Sequence, residues 1–232
     1  MQTSDGGYIL LGSASSLVQD LPDILLLKID AAGNPQWNRT ITTLKYVDSF
    51  PGSIQQTSDG GYLVSGQTHQ SAGNNSGIIT IGNSLAFLLK LHSNGSTQWN
   101  ETFSGADSSS GMQARQTSDG GYIASISAPW YLGYDVWLWR TNANGTTLWS
   151  KPVLDNSLNV FYLQQTADGN YVLAGYGTSA GDVLMKVSGT PPPFSLGAIP
   201  AIYATSGIFL VAGIAVAIVA YLRTRKTHKP TR

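Results

Sequence analysis

Four aspartates, Asp5, Asp59, Asp119 and Asp168, and four cations, Lys28, Lys90, Arg140 and Lys186, recur at matched places along this 232-residue chain. A carboxylate near a cation invites an acid/base reading, because proton transfer needs a donor and an acceptor of tuned pKa. An active site, however, gathers one-off residues at one place, whereas these return once per repeat. The aspartates therefore read as turn residues that accept hydrogen bonds from nearby backbone amides. The cations read as a repeated ion pair or a solvated position. The histidines, His69, His92 and His228, are scattered, and no two have metal-ligand spacing. There is no cysteine, so disulfides and thiolate chemistry are excluded. No Gly-x-Ser-x-Gly, phosphate loop or dinucleotide fingerprint is present. The expectation is a chain with no catalytic residues, no metal and no cofactor, and not an enzyme.

The aspartates are positioned by a heptapeptide that is copied along the chain. It reads Gln-Thr-Ser-Asp-Gly-Gly-Tyr at 2–8, 56–62 and 116–122, and Gln-Thr-Ala-Asp-Gly-Asn-Tyr at 165–171. Repetition of this kind marks one supersecondary unit used several times. Each copy predicts four short strands. The first runs into the heptapeptide, at 53–57, 112–117 and 160–166. Asp-Gly then makes a tight hairpin turn in which glycine supplies positive φ, and Asn170 is the residue next best able to take that geometry. The second strand, at 8–12, 62–66, 122–126 and 171–175, is a near-continuous apolar run, as in strands covered on both faces. A loop of variable length follows. The third strand, at 23–30, 85–92, 135–142 and 182–187, carries the cation. A turn of Gly33-Asn34, Asn94-Gly95 or Asn144-Gly145 leads to a fourth strand with Trp37, Trp99 or Trp149. His92 stands where Asp30 and Asn142 stand in other copies, so it reads as a turn residue.

The aspartates lie 54, 60 and 49 residues apart, which is the size of a propeller blade. The fold class predicted is all-β, a β-propeller of four-stranded antiparallel blades over 1–188, incomplete at about three and a half blades. Three complete strand sets and two partial ones do not add to a clean ring. The chain is therefore expected to be an N-terminally truncated piece, or a mis-started reading frame, of a longer propeller. Composition agrees with an all-β chain: only 11% of residues are charged and glycine is abundant at 26 residues.

After the repeats, 189–198 reads as a proline-rich linker around Pro191, Pro192 and Pro193. The stretch 199–222 is uncharged and long enough for a transmembrane helix, with Tyr203 and Tyr221 near its ends. The tail 223–232 holds 5 of the 13 basic residues and none of the acids, which leaves a net −5 on the remainder. A mildly acidic body is a poor nucleic-acid binder. The positive tail predicts a cytoplasmic C-terminus, with the repeats outside the cell in a single-pass arrangement. No signal peptide opens the sequence, and the alternative is a tail-anchored protein facing the cytosol. Five Asn-x-Ser/Thr acceptors, at Asn38, Asn74, Asn94, Asn100 and Asn144, are a mild excess over chance and agree with an exterior location.

The segments Asp30-Ala31-Ala32-Gly33-Asn34-Pro35-Gln36-Trp37 and Asn142-Ala143-Asn144-Gly145-Thr146-Thr147-Leu148-Trp149 resemble the Asp-x-x-x-Gly-x-x-x-Trp signature of quinoprotein-like (PQQ-type) β-propellers, shortened by a residue before the glycine. With the heptapeptide hairpins, 1–188 resembles the cell-surface propeller repeats of archaea and some bacteria. The resemblance implies that Trp37, Trp99 and Trp149 dock between neighbouring blades. The altered spacing means the quinone cofactor does not carry over.

Function is expected in the variable loops, since a copied scaffold usually varies where it binds. The longest, 67–84, is rich in Asn, Ser and Gly and offers His69, Asn74 and Asn75. The third loop groups Trp130, Tyr131 and Tyr134. Aromatics flanked by polar residues stack on sugar rings or anchor a protein partner; the plainer alternative is packing against an adjacent loop. These features favour an interaction or adhesion module that binds a glycan or protein. A propeller hydrolase or lyase whose catalytic part lies outside this chain is the alternative. A sensor ectodomain is disfavoured by the short tail.

Overall fold

Leu, Ile, Val and Tyr alternate with polar residues or run together between Asn/Asp-Gly turns, and these segments form strands. The structure is a computed structural model, and it describes residues 1–15, 22–41, 46–75, 78–103, 110–130, 133–153, 158–177 and 181–190. All of these belong to one of the chain's two units, Met1–Phe103 with Asp107–Ser195. The second unit, Ser104–Ala106 with Leu196–Arg232, lies outside the described residues, as do the expected span 199–222 and the tail. Among the described residues no helix is long and apolar enough to cross a membrane.

The described residues are all-β and form four antiparallel sheets. The first is β1 (Tyr8–Ser15), β2 (Pro22–Ile29) and β3 (Pro35–Ile41), with Gln2 adding one bridge to Tyr8. The second is β4 (Tyr46–Gln56), β5 (Tyr62–Asn75), β6 (Ile78–Leu91) and β7 (Thr97–Thr102). The third is β8 (Ser110–Gln116), β9 (Tyr122–Trp130), β10 (Gly133–Thr141) and β11 (Thr147–Val153). The fourth is β12 (Leu158–Gln165), β13 (Tyr171–Gly177) and β14 (Gly181–Val187). In every sheet the strands lie in chain order, each paired to the next, because every connection is a hairpin.

The sheets pack face on face in sequence. Strand β4 lies against β1 and β2, β8 against β4, β5 and β6, and β12 against β8, β9 and β10. One apolar core joins the first two sheets through Ile9, Ile24 and Leu26 on one side and Tyr62, Val64, Phe87, Leu89 and Leu91 on the other. Another joins the last two through Ile123, Val136, Leu138 and Trp149 against Val160, Leu163, Tyr171 and Leu173.

Two sequence expectations change here. The apolar runs expected to be covered on both faces are so only in the middle sheets, where 62–66 and 122–126 are buried throughout. In β1 and β13 burial alternates, because only one face of each end sheet meets a neighbour among the described residues. Within the stretch 67–84, expected as a loop, the described residues 67–75 and 78–84 instead extend β5 and β6, with register shifts near Ser71. Ile78, Ile79, Thr80 and Ile81 are β-branched, and their strand preference outweighs the Asn/Ser/Gly composition around them.

Candidate functional site

Among the described residues the heptapeptide builds a repeated polar arrangement. The backbone makes a four-residue turn: Gly60 N donates to Thr57 O at 2.9 Å and Thr57 N to Gly61 O at 2.9 Å. Gly60 takes φ +79°, which closes the turn as a glycine bulge. Thr57 Oγ1 donates to Asp59 Oδ1 at 2.5 Å and Gly61 N to the same oxygen at 3.0 Å. Asp59 then receives Lys90 Nζ at 2.8 Å. The same pair forms as Lys28–Asp5 at 2.8 Å, Arg140–Asp119 at 2.5 Å and Lys186–Asp168 at 2.6 Å. The recurring cations are thus a repeated ion pair.

The second glycine makes room for the third strand's carbonyl and for the cation of the ion pair. A Cβ on Gly61 would stand 2.5 Å from Lys90 Nζ and would also overlap the Leu91 carbonyl. Gly7 and Gly121 are confined in the same way by Lys28 and Arg140. Only the first glycine of each turn, Gly6, Gly60, Gly120 and Gly169, has positive φ. Asn170 therefore does not stand in for a left-handed glycine, contrary to the expectation from sequence. It stands where the cation is not confined: Lys186 is 54% exposed, against 1% for Lys90. Its Nδ2 donates to Asp168 Oδ2 and its Oδ1 accepts from Gly189 N.

Burial acts against ionisation of Asp59, but Lys90, the Thr57 hydroxyl and the Gly61 amide outweigh it and hold the carboxyl at about 2. Hydrogen bonds from Lys28, Thr3 and Gly7 depress Asp5 in the same direction. Thr117 foremost depresses Asp119, and Lys186 foremost depresses Asp168. Carboxylates held ionised by several donors are anchors; a general acid needs the opposite shift.

The tryptophans are placed by register. Trp37 pairs with Lys28, Trp99 with Lys90 and Trp149 with Arg140 across the third and fourth strands. Directly opposite residues share a face, so indole and cation both point at the next sheet. There Trp37 meets Tyr62 at 6.0 Å between ring centroids, Trp99 meets Tyr122 at 5.5 Å and Trp149 meets Tyr171 at 6.1 Å. Burial pushes the Tyr122 phenol up to about 12, with the Asp59 charge adding to it. The next sheet's Asn-Gly turn closes over the indole: a Cβ on Gly95 would stand 2.8 Å from Trp37, and one on Gly145 would stand 2.9 Å from Trp99. Each tryptophan thus docks between neighbouring sheets.

The first residue of the heptapeptide was not legible as functional, yet it ties the sheets together. Ser4 N donates to Gln56 Oε1, Ser58 N to Gln116 Oε1 and Ser118 N to Gln165 Oε1, each at 2.8 Å. These bonds cross 52, 58 and 47 residues of chain. They hold the heptapeptide turns side by side at one end of the sheets. Hairpins between second and third strands therefore open at the opposite end.

That opposite end carries the expected binding residues. Asn74 and Asn75 lie near the end of the β5–β6 hairpin, facing Ile79 and Ile78 in register. Trp130 ends β9 opposite Gly133, and Tyr134 on β10 faces Pro129. Tyr131 lies outside the described residues. His69 is drawn into the second sheet instead: its ring stands edge-on to Phe50 at 6.0 Å, and its Nε2 is 3.2 Å from Gln67 Nε2. His92 is exposed in the turn before β7, where its amide donates to Ser96 O. Asn94 and Asn144 are exposed in the Asn-Gly turns, and Asn38 and Asn100 are exposed on β3 and β7. A small cleft of about 10 Å³ beside Ile24 and Phe87 is lined by one carboxylate, Glu101, and by no histidine, lysine or arginine. Among the described residues no three His, Asp or Glu side chains assemble as metal ligands. No protein-family model matches the chain, and no curated protein is similar to it.

Proposed function

We propose that this chain is a β-propeller repeat protein of quinoprotein-like pattern, held outside the cell by a membrane helix over 199–222, and that it acts as an interaction or adhesion module for a glycan or protein ligand. The ligand surface is the end at which the β5–β6 and β9–β10 hairpins open. One observation carries this reading. At the heptapeptide end all four sheets repeat the same chemistry. At the other end the hairpins differ: β5 and β6 have 14 residues each, β9 and β10 have 9 each, and β13 and β14 have 7 each. A scaffold that is uniform at one end and variable at the other distinguishes ligands at the variable end. Four docked sheets of three or four strands support the propeller architecture. The uncharged run 199–222, the basic tail and the exposed acceptors Asn38, Asn94, Asn100 and Asn144 support the membrane topology and surface glycosylation.

The test is surface display of the full chain with Trp130→Ala and Tyr131→Ala, assayed on a glycan array and by cell adhesion. The reading expects at least a tenfold loss of binding with thermal unfolding unchanged. Binding that survives both substitutions contradicts it. Accessibility of an N-terminal tag on intact cells checks the orientation.

A further inference from the structure

The three covered junctions use one set of parts. The leading sheet presents a leucine, Leu26, Leu88 or Leu138, each 0% exposed. It also presents the amide of Ser4, Ser58 or Ser118. The trailing sheet answers with Tyr62, Tyr122 or Tyr171, at 1–2% exposure, and with Gln56, Gln116 or Gln165. Two residues beyond each tyrosine lies Val64, Ala124 or Leu173, none more than 1% exposed.

The two end sheets carry the same parts uncovered. On the open face of the fourth sheet Leu184, in the place of Leu88, is 77% exposed, and Ala167 stands where Ser58 stands. On the open face of the first sheet Tyr8, in the place of Tyr62, is 41% exposed and Leu10 is 46% exposed, with Gln2 in the place of Gln56. Seven of the nine large hydrophobic side chains exposed among the described residues sit on these two sheets: Met1, Tyr8, Leu10, Phe161, Tyr162, Tyr176 and Leu184. Among the described residues, one face is a leading face without a follower, and the other is a trailing face without a leader.

We propose that the open face of the fourth sheet in one copy seats on the open face of the first sheet in a second copy. Two copies then pair reciprocally through two equivalent junctions, with Leu184 against Tyr8 and Leu10, and with the Ala167 amide donating to Gln2 Oε1. The fit of the two faces rests on the exposed positions alone. The closure at two copies of this chain rests on the propeller reading: the four described sheets of each copy together number eight, within the range in which propellers close. No described residue of the fourth sheet takes the place of Trp149, so this junction lacks an indole and is weaker than the internal three.

The absence of cysteine supplies the test. Leu184→Cys and Leu10→Cys chains, full length and detergent-solubilised, are mixed and oxidised. The pairing expects a mixed disulfide dimer at least tenfold above the dimer formed by either variant alone. In parallel, light scattering of the wild-type chain expects twice the 24.6 kDa monomer mass, and Leu184→Glu or Tyr8→Glu expects the monomer. Both side chains are exposed, so circular dichroism is expected to be unchanged. A wild-type monomer at all concentrations, a dimer indifferent to both substitutions, or no excess of the mixed disulfide overturns the pairing. A ladder of larger masses that the same substitutions abolish overturns closure at two and leaves the face-to-face contact standing.

Discussion

The Lys90–Asp59 and Lys186–Asp168 pairs are chemically the same and environmentally opposite. Their N–O distances are 2.8 and 2.6 Å, and the aspartates are 55% and 52% exposed. The lysines differ, at 1% and 54%. The turn alone therefore builds the ion pair, and the following sheet decides what the pair is worth. Where a sheet follows, the cation is desolvated and its carboxylate becomes obligatory. In a single copy, where no described sheet follows, the pair is a solvated surface contact. At Gly61 the Leu91 carbonyl and Lys90 Nζ together exclude a Cβ, the carbonyl standing the closer of the two.

The largest expected effect separates the two pairs. In the Leu184→Glu chain, whose end faces stay open, Asp59→Ala strands a buried cation and is expected to cost about 3 kcal/mol in urea unfolding, while Asp168→Ala costs less than about 1 kcal/mol. Equal losses at both sites would remove the distinction. Next is the indole seat. Gly95→Ala and Gly33→Ala both place a side chain at positive φ, but a Cβ at Gly95 meets Trp37 whereas at Gly33 nothing lies within 4 Å. The excess cost at Gly95, expected at about 1–2 kcal/mol, is the junction's own share.

Acid sharpens the comparison further. Asp59 titrates at about 2 in the folded chain and near ~3.9 unfolded, so its folded pKa is the lower. Its contribution is complete above about pH 4 and drains away as pH falls towards 2. Unfolding followed from pH 6 to pH 2 is expected to show a steep loss in that window, shallower in Asp59→Asn. The smallest effect is the inter-sheet glutamine. In the same Leu184→Glu chain, Gln116→Ala removes a bond to Ser58 N and is expected to cost about 1 kcal/mol, against a few tenths for Gln2→Ala.

Local chemistry was legible in the sequence wherever a turn or a register fixed it. Asp-Gly and Asn-Gly placed the hairpins, and the recurring cation and tryptophan were placed on the third and fourth strands, which the structure pairs as Lys90 opposite Trp99. The resemblance to propeller repeats placed the tryptophans between sheets, and Trp37 on Tyr62 agrees with it. Gln116 was opaque because its partner Ser58 lies 58 residues away and nothing local calls for the bond. Gly61 was misassigned to backbone conformation because its constraints, the Leu91 carbonyl and Lys90 Nζ, arrive from a strand far along the chain. The hairpin 67–84 was taken for a loop because composition was weighed above the β-branched run from Ile78 to Ile81. Exposure of Tyr8 and Leu184 was invisible for a different reason: their repeats read like the buried ones, and only the stacking order sets them apart.

The central claim is that each turn amide is locked by the sheet that follows it. Amide hydrogen exchange on Leu184→Glu, a chain in which the end faces stay open, tests this directly. The account predicts slow exchange at Ser58 and Ser118, whose amides are held by Gln116 and Gln165, and fast exchange at Ala167. Equal rates at all three amides would contradict it.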